Sequence, residues 1–394
     1  MIKYCSRLVF CLVWFYHPTL AQFKNVKITE ATTANHLLIA AAANNPQQLV
    51  VAGSSFLSVS NDGGFTWHNK FNQKSIDSLL ANDTGCKGPD DEYYSAFVEG
   101  SDLKIRMANK YSSQSKTIAP FKNGQNYTVS GRLRANGLPS VACDLSNNGH
   151  YGRVYVCWSD EKYGASNKDV FLAYSDDKGA SWTEPILVTY RPNHKEQFMP
   201  RLAVDQFTGF VYIVYYDLQN SADGSFADVY LARSKNGGLL FDVYRLNESP
   251  VELSDSCSLG DRTGLCVVNS VIRPVWVQTT NAKTQVEILT ALVDETALTV
   301  YNPAINDPLV IEKTFSFSEK TRMDFEMKTK TRLTVMITNP LDHTFEKLLV
   351  KNKKLKKGHN HLLIDSKAMG LPKGNYTLTF YYDHKNTYVW LIDE

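Results

Sequence analysis

The sequence predicts an all-β protein: a ring of repeated four-stranded sheets followed by a small β-sandwich. Three observations carry this. First, residues 139–241 say nearly the same thing twice. One copy reads PSVACD (139–144), VYVCWSD (154–160) and DVFLAYSDDKGASW (169–182). The other reads PRLAVD (200–205), VYIVYYD (211–217) and DVYLARSKNGGLLF (228–241). Each copy is a set of short apolar, β-branched and aromatic runs split by Gly/Asp/Asn turns, the size and rhythm of one propeller blade. Second, a closing turn S-x-D-x-G-x-x-W occurs at Ser60/Asp62/Gly64/Trp67 and at Ser175/Asp177/Gly179/Trp182. A degenerate third stands at Ser234/Asn236/Gly238/Phe241. Third, residues 314–394 change to apolar/polar alternation with polar, lysine-rich turns, the pattern of a small sandwich.

In chain order, residues 1–21 read as a targeting segment. Lys3 and Arg7 precede the apolar run 8–16, and Thr19-Leu20-Ala21 offers a cleavage site before Gln22. That run is shorter than the ~20 residues a membrane-spanning helix needs, and no later run is longer. The expectation is a secreted or cell-surface protein with no transmembrane segment. Residues 36–67 form a first blade, and 92–100 with 102–110 supply strands of a second that lacks the closing turn. The tandem copies are the next two, and 260–268, 272–277 and 286–294 make a fifth. A sixth, assembled from the chain ends near 23–30 and 298–312, is the open alternative, so the propeller has five or six blades over 22–310. The sandwich then occupies 311–394.

The 394 residues and 43% hydrophobic content support two or three globular units. A net charge of +2 gives no general attraction to nucleic acid. Of the seven cysteines, Cys5 and Cys11 leave with the leader; Cys86, Cys143, Cys157, Cys257 and Cys266 remain. An odd count leaves at least one unpaired within the chain. Cys143 with Cys157, and Cys257 with Cys266, are candidate bridges; the alternative is burial as small hydrophobes. No C-x-x-C or His-rich spacing suggests zinc, and no cofactor is expected.

The closing turns resemble the Asp-box (BNR) repeats of sialidases and related β-propellers. The blades SVACD…GRVYVCWSD, FMPRLAVDQFTGFVYIVYYD and LGDRTGLCVVNSVIRPVW resemble secreted bacterial BNR-repeat proteins described as sialidase-like or exo-α-sialidases, over residues 35–300. Residues 351–382, KNKKLKKGHNHLLIDSKAMGLPKGNYTLTFYY, resemble the C-terminal sorting domain of type IX secretion substrates in Bacteroidota. This resemblance implies contact with secretion or surface-attachment machinery. The alternative is a generic accessory sandwich, with the lysines at 351, 353, 354, 356 and 357 as a solvated edge.

Propeller topology separates two ends. Turns between third and fourth strands lie at the back, so Asp62, Asp177 and Asn236 are structural. The front gathers Arg134, Gln197, Arg201, Asp261 and Arg262 from innermost-strand starts, and Asp160 and Asp217 from second-strand ends. Ligand contacts are expected from Gln197, Arg201, Arg262, Asp160 and Asp217. Sialidase chemistry, as the resemblance implies it, needs three arginines on a substrate carboxylate, a Tyr nucleophile activated by Glu, and an Asp acid/base. Arg134, Arg201 and Arg262 are candidates for the first task, and Asp91 (or Asp90) and Asp261 for the acid. However, no arginine lies between Arg7 and Arg106, so the first-blade arginine of sialidases has no counterpart. Each front residue also has a structural reading as a turn cap or ion-pair partner. Two functions follow: binding of an extracellular glycan or surface polymer without sialidase catalysis, or divergent exo-glycosidase activity.

Overall fold

The computed structural model describes residues 23–393 apart from 32–34, 43–44, 71–84, 123–125, 148, 163, 165, 189–194, 240, 254–258, 280–284, 299–308, 312–313, 318–319, 329, 339–345, 372–375 and 383–384. The expected targeting segment and Cys257 therefore lie outside the described residues.

Five antiparallel sheets follow one another, each built on a path of four strands; in blades 4 and 5 a further short strand (Val251–Glu252, Val293–Asp294) pairs off that path. Blade 1 is Leu38–Ala42, Asn45–Gly53, Phe56–Ser60 and His68–Asn69. Blade 2 is Cys86–Lys87, Tyr93–Glu99, Asp102–Ala108 and Ser113–Pro120; blade 3 is Ser140–Cys143, Val154–Asp160, Asp169–Ser175 and Ile186–Leu187. Blade 4 is Gln197–Val204, Val211–Asp217, Phe226–Ser234 and Asp242–Arg245. Blade 5 takes Gly264–Val268, Val271–Thr279 and Val286–Ala291 from its own stretch, and its fourth strand is Asn25–Ala31 from the other end of the propeller. The innermost strands are neighbours in the order 2, 3, 4, 5, 1. This is the arrangement of a β-propeller, fastened where the amino-terminal strand completes the last blade. The amino-terminal strand thus completes a fifth blade rather than opening a sixth; of the stretch 298–312, residues 299–308 lie outside the described residues, and the described residues hold five blades.

The strand patterns follow from this stacking. Second strands of blades 3 and 4, VYVCWSD and VYIVYYD, are buried on both faces because each sheet is covered by its neighbours. Trp158 and Phe171 of blade 3 pack toward blade 2, whereas Tyr155, Cys157 and Leu172 pack toward blade 4. Trp158 is 1% exposed, and its truncation to alanine is expected to cost about 3–5 kcal/mol.

A two-stranded hairpin, Asn126–Val129 with Leu133–Asn136, lies between blades 2 and 3 and belongs to neither. Its Val129, Leu133 and Ala135 are buried in one cluster with Phe198, Met199 and Tyr216 of blade 4 and with Trp276 of blade 5. The hairpin therefore covers the front of the propeller with an apolar underside.

The C-terminal strands form a sandwich with its own core. A three-stranded sheet (Leu309–Ile311, Lys320–Met327, Gly358–Asp365) packs on a five-stranded one. The larger sheet runs Thr314–Phe317, Lys385–Asp393, Tyr376–Tyr382, Thr331–Thr338, Glu346–Leu355, and its first pair is parallel. Met323 and Phe325 meet Val335, Leu378 and Phe380 between them. Leu309–Ile311 already pairs with Lys320–Met327, two residues ahead of the expected boundary. Lys351, Lys353 and Lys354 are exposed on the edge strand Glu346–Leu355, where charge blocks further strand pairing. Among the described residues no helix is long and apolar enough to cross a membrane.

Candidate functional site

The two ends of the propeller are built differently. At the back, the closing turns repeat one hydrogen-bond plan. Ser60 Oγ accepts from Gly64 N (2.9 Å) and donates to Asp62 Oδ1 (2.7 Å). Asp62 then accepts from Thr66 N (2.9 Å) and Thr66 Oγ1 (2.6 Å), and Trp67 Nε1 donates to Gly64 O (3.0 Å). Ser175, Asp177, Gly179, Ser181 and Trp182 repeat every one of these bonds. In the third turn Ser234 keeps its bonds to Asn236 and Gly238, and Phe241 packs into the core between blades 3 and 4. Gly64, Gly179 and Gly238 have φ of 95°, 87° and 90°, a region where a side chain is strained. The hydroxyl bonds from Thr66 and Ser181 hold the Asp62 and Asp177 carboxyls down at about 2.

Arginines from the preceding blade lock these turns. Arg273 of blade 5 donates from Nε to Gly63 O in blade 1 (2.6 Å) and from Nη1 to Val293 O (2.8 Å). Arg153 of blade 3 donates to Gly237 O in blade 4 (2.9 Å) while holding Asp176 bidentately. Gly63 and Gly237 occupy the same position of their turns. At that position in blade 3 stands Lys178, which pairs with Asp90 of blade 2.

That pairing corrects one expectation. Asp90 and Asp91 sit in the turn between the first and second strands of blade 2, on the same end as the closing turns, and Asp91 is exposed beside Lys87 (2.5 Å). Both therefore stand at the end of the blade away from the front cluster.

At the front, blades 3 and 4 meet in a buried polar cluster. Four aspartates face one another in pairs across the second and third strands: Asp160 opposite Asp169, and Asp217 opposite Asp228. Gln197 ties the blades. Its backbone N donates to Lys168 O (2.7 Å), its Oε1 accepts from Val170 N (3.3 Å), and its Nε2 donates to Asp217 Oδ2 (3.0 Å). Asp217 Oδ1 also accepts from Gln219 N (2.7 Å), and Asp160 Oδ1 from Lys122 N (3.0 Å) and Glu161 N (2.9 Å). Asp228 is held by Arg245 (3.0 Å), Asn247 (2.9 Å) and Asn220 (2.6 Å). Lys168, 2% exposed, bridges Glu161 (2.7 Å) and Glu196 (2.6 Å). Glu196 Oε2 accepts from Ser130 N (2.5 Å), and Lys168 Nζ stands 5.1 Å from the Tyr127 ring centre, so the covering hairpin is fixed to this cluster.

Asp169 is the exception. Asp169 is 5% exposed, and among the described residues neither a hydrogen bond nor a cation offsets the burial of its carboxyl. Burial, reinforced by the Asp217 charge, raises it to about 7, so it carries a proton into the neutral range.

Of the expected front residues, Asp160, Gln197 and Asp217 come together here. They are buried with polar atoms committed to turns and to the other blade, so they position the cluster. Arg134 is exposed on the covering hairpin. Arg201 is half-buried on the innermost strand of blade 4, opposite Val214, close enough to Cys157 to act on its thiol. Asp261 and Arg262 form a separate group between blades 5 and 1, where Asp261 accepts from His36 N (2.7 Å) and Arg262 Nε lies 3.7 Å away. Sequence reasoning missed Asp169, Asp228, Lys168 and Glu196. The signal was present: both tandem copies end the second strand in Asp and carry Asp-Val in the third. Among the described residues no group of three His, Cys, Asp or Glu is placed to hold a metal ion.

No family model matches the chain. No curated protein sequence matches it either. Among solved structures it is similar to an α-L-arabinofuranosidase from Fusarium graminearum in complex with an iminosugar inhibitor, at 11% identity and TM-score 0.34, covering 69% of this chain and 98% of that one. It is also similar to an endo-arabinase from Bacteroides thetaiotaomicron (12%, TM-score 0.32, 68% and 97% covered). A third is an endo-1,5-α-L-arabinanase from Thermotoga petrophila (12%, TM-score 0.35, 92% of each chain covered). Likeness at this level transfers no chemistry to the chain.

Proposed function

We propose that the chain is an extracellular, sialidase-like propeller that binds a glycan or surface polymer at its front end over blades 3 and 4, without sialidase activity. The observation that carries this reading is the contrast in composition between the front cluster and a sialidase site. The cluster joins four aspartates, Gln197, Asn220 and Asn247, groups suited to orienting polar loops around sugar hydroxyls. The arginines needed to fork a sugar carboxylate stand in three different settings, and blade 1 contributes none.

A second reading, a divergent exo-glycosidase, is favoured by one observation. Asp169 holds a proton near neutrality next to the charge of Asp217. Two carboxyls whose environments drive their proton affinities apart are the pattern of a general acid with an ionised partner. In that reading Asp169 donates its proton to the departing sugar oxygen.

The test is a panel of neutral and sialylated oligosaccharides, immobilised for binding and fluorogenic for turnover. Retention without turnover supports binding. Turnover of a neutral sugar that Asp169→Asn abolishes establishes the hydrolase. Sialoside turnover lost in Arg201→Ala overturns the non-sialidase reading. The C-terminal sandwich is proposed as a surface-attachment module. Deleting residues 309–394 is expected to release the protein from the cell surface, and unchanged retention contradicts it.

A further inference from the structure

Two of the cysteines face each other across a blade boundary. Cys86 lies on the innermost strand of blade 2, opposite Tyr94, and Cys143 ends the innermost strand of blade 3. Their Sγ atoms are 2.9 Å apart. Non-bonded carbons rest about 3.5–4.0 Å apart, and sulfur is larger, so these atoms are inside ordinary contact distance. The candidate bridge between Cys143 and Cys157 does not fit: Cys143 packs toward blade 2 and Cys157 toward blade 4, on opposite faces of one sheet. Cys266 is on blade 5, beside the Ala41 backbone of blade 1.

We propose that Cys86 and Cys143 form a disulfide that cross-links the innermost strands of blades 2 and 3. The placement is mechanically apt. Blade 2 lacks a closing-turn motif, its innermost strand is two residues long, and its outermost strand is largely exposed. The bond closes a chain separation of 57 residues, restricting the unfolded chain around blade 2. Formation requires an oxidant, a disulfide such as oxidised glutathione or a thiol oxidase of the export compartment. One cysteine attacks the oxidant's S–S bond and releases one thiol. The second then attacks the mixed disulfide and releases the other. Overall two S–H bonds are lost, one S–S bond forms, and both electrons reduce the oxidant's S–S to two thiols. Burial pushes the Cys86 thiol up, so it is a poor attacking thiolate once folded, and the bond forms while the strands are still open.

The experiment needs neither export nor a glycan. The purified chain is refolded in a glutathione redox buffer, alkylated without reduction and digested with trypsin. Cleavage after Lys74 and Lys87, and after Arg134 and Arg153, isolates Cys86 in peptide 75–87 and Cys143 in peptide 135–153. The expected product is these two peptides joined, lighter than their sum by two hydrogens. Recovery of both as separate alkylated peptides, or of 135–153 joined to 154–162, overturns the proposal. Added dithiothreitol is expected to lower the Tm of the oxidised wild type by roughly 5–10 °C. It should leave the Cys86→Ala/Cys143→Ala double variant unmoved. A wild type indifferent to reductant contradicts the cross-link.

Discussion

The back and front of this propeller use similar residues to opposite ends. At the back, aspartates sit at the surface in turns that repeat almost bond for bond, with carboxyls near 2 because hydroxyls and amides surround them. At the front, aspartates are buried, no two have the same partners, and one is raised to about 7. A repeated hydrogen-bond plan is what architecture needs, since every blade must turn the same way. Unrepeated, strained electrostatics are not required by the fold and mark the end where a ligand is to be sought. Exposure alone would have pointed the wrong way, toward the surface aspartates.

That contrast can be broken by mutation. The largest expected effect is at the back: Arg273→Met leaves the buried carbonyls of Gly63 and Val293 without a donor and is expected to cost about 3 kcal/mol in urea unfolding. Glycan binding at the front should survive. Next is Asp169→Asn, whose effect depends on pH. Its folded-state affinity for a proton is raised, so below pH ~4 both folded and unfolded forms are protonated and the site costs nothing. Between pH ~4 and ~7 only the unfolded chain ionises, and stability falls. The variant should flatten that slope and be more stable at pH 8 by on the order of 3 kcal/mol. A slope unchanged in the variant would assign the titration elsewhere. Asp177→Ala should cost about 1–2 kcal/mol at neutral pH. Because that carboxyl is lowered to about 2, its contribution is present above pH ~4 and disappears as pH falls through 2, the reverse of Asp169. Smallest is Arg134→Ala, exposed on the covering hairpin, with stability expected within about 0.5 kcal/mol of wild type. Any large effect of Arg134→Ala should appear in binding.

The back end was legible because turn chemistry is local: Ser, Asp, Gly and Trp within eight residues define their own hydrogen bonds. Even there the arginine locks escaped, since Arg273 and Gly63 are 210 positions apart. The five-bladed count also escaped, because strand Asn25–Ala31 looks like any short β run until its pairing with Val286–Ala291 is seen. The front was legible in location only. Asp160, Asp217 and Gln197 are where strand order puts them, but their burial and the raised Asp169 depend on how two blades and a hairpin close over each other. The hairpin itself, 126–136, gave no repeat to recognise. Asp91, a candidate acid, stands in the turn after the innermost strand of blade 2, and that strand, only Cys86–Lys87, is too short to be read from its pattern.

The division of labour is tested most directly by glycan binding measured on matched variants from the two ends. Wild type, Arg134→Ala and Asp169→Asn from the front, and Asp62→Ala and Asp177→Ala from the back, are titrated against the oligosaccharide panel under identical conditions. The expected result is a retained glycan whose affinity drops at least about tenfold (1.4 kcal/mol) in the front variants and stays at wild-type strength in the back ones. Weakening confined to Asp62→Ala and Asp177→Ala, or no glycan retained at all, would contradict it.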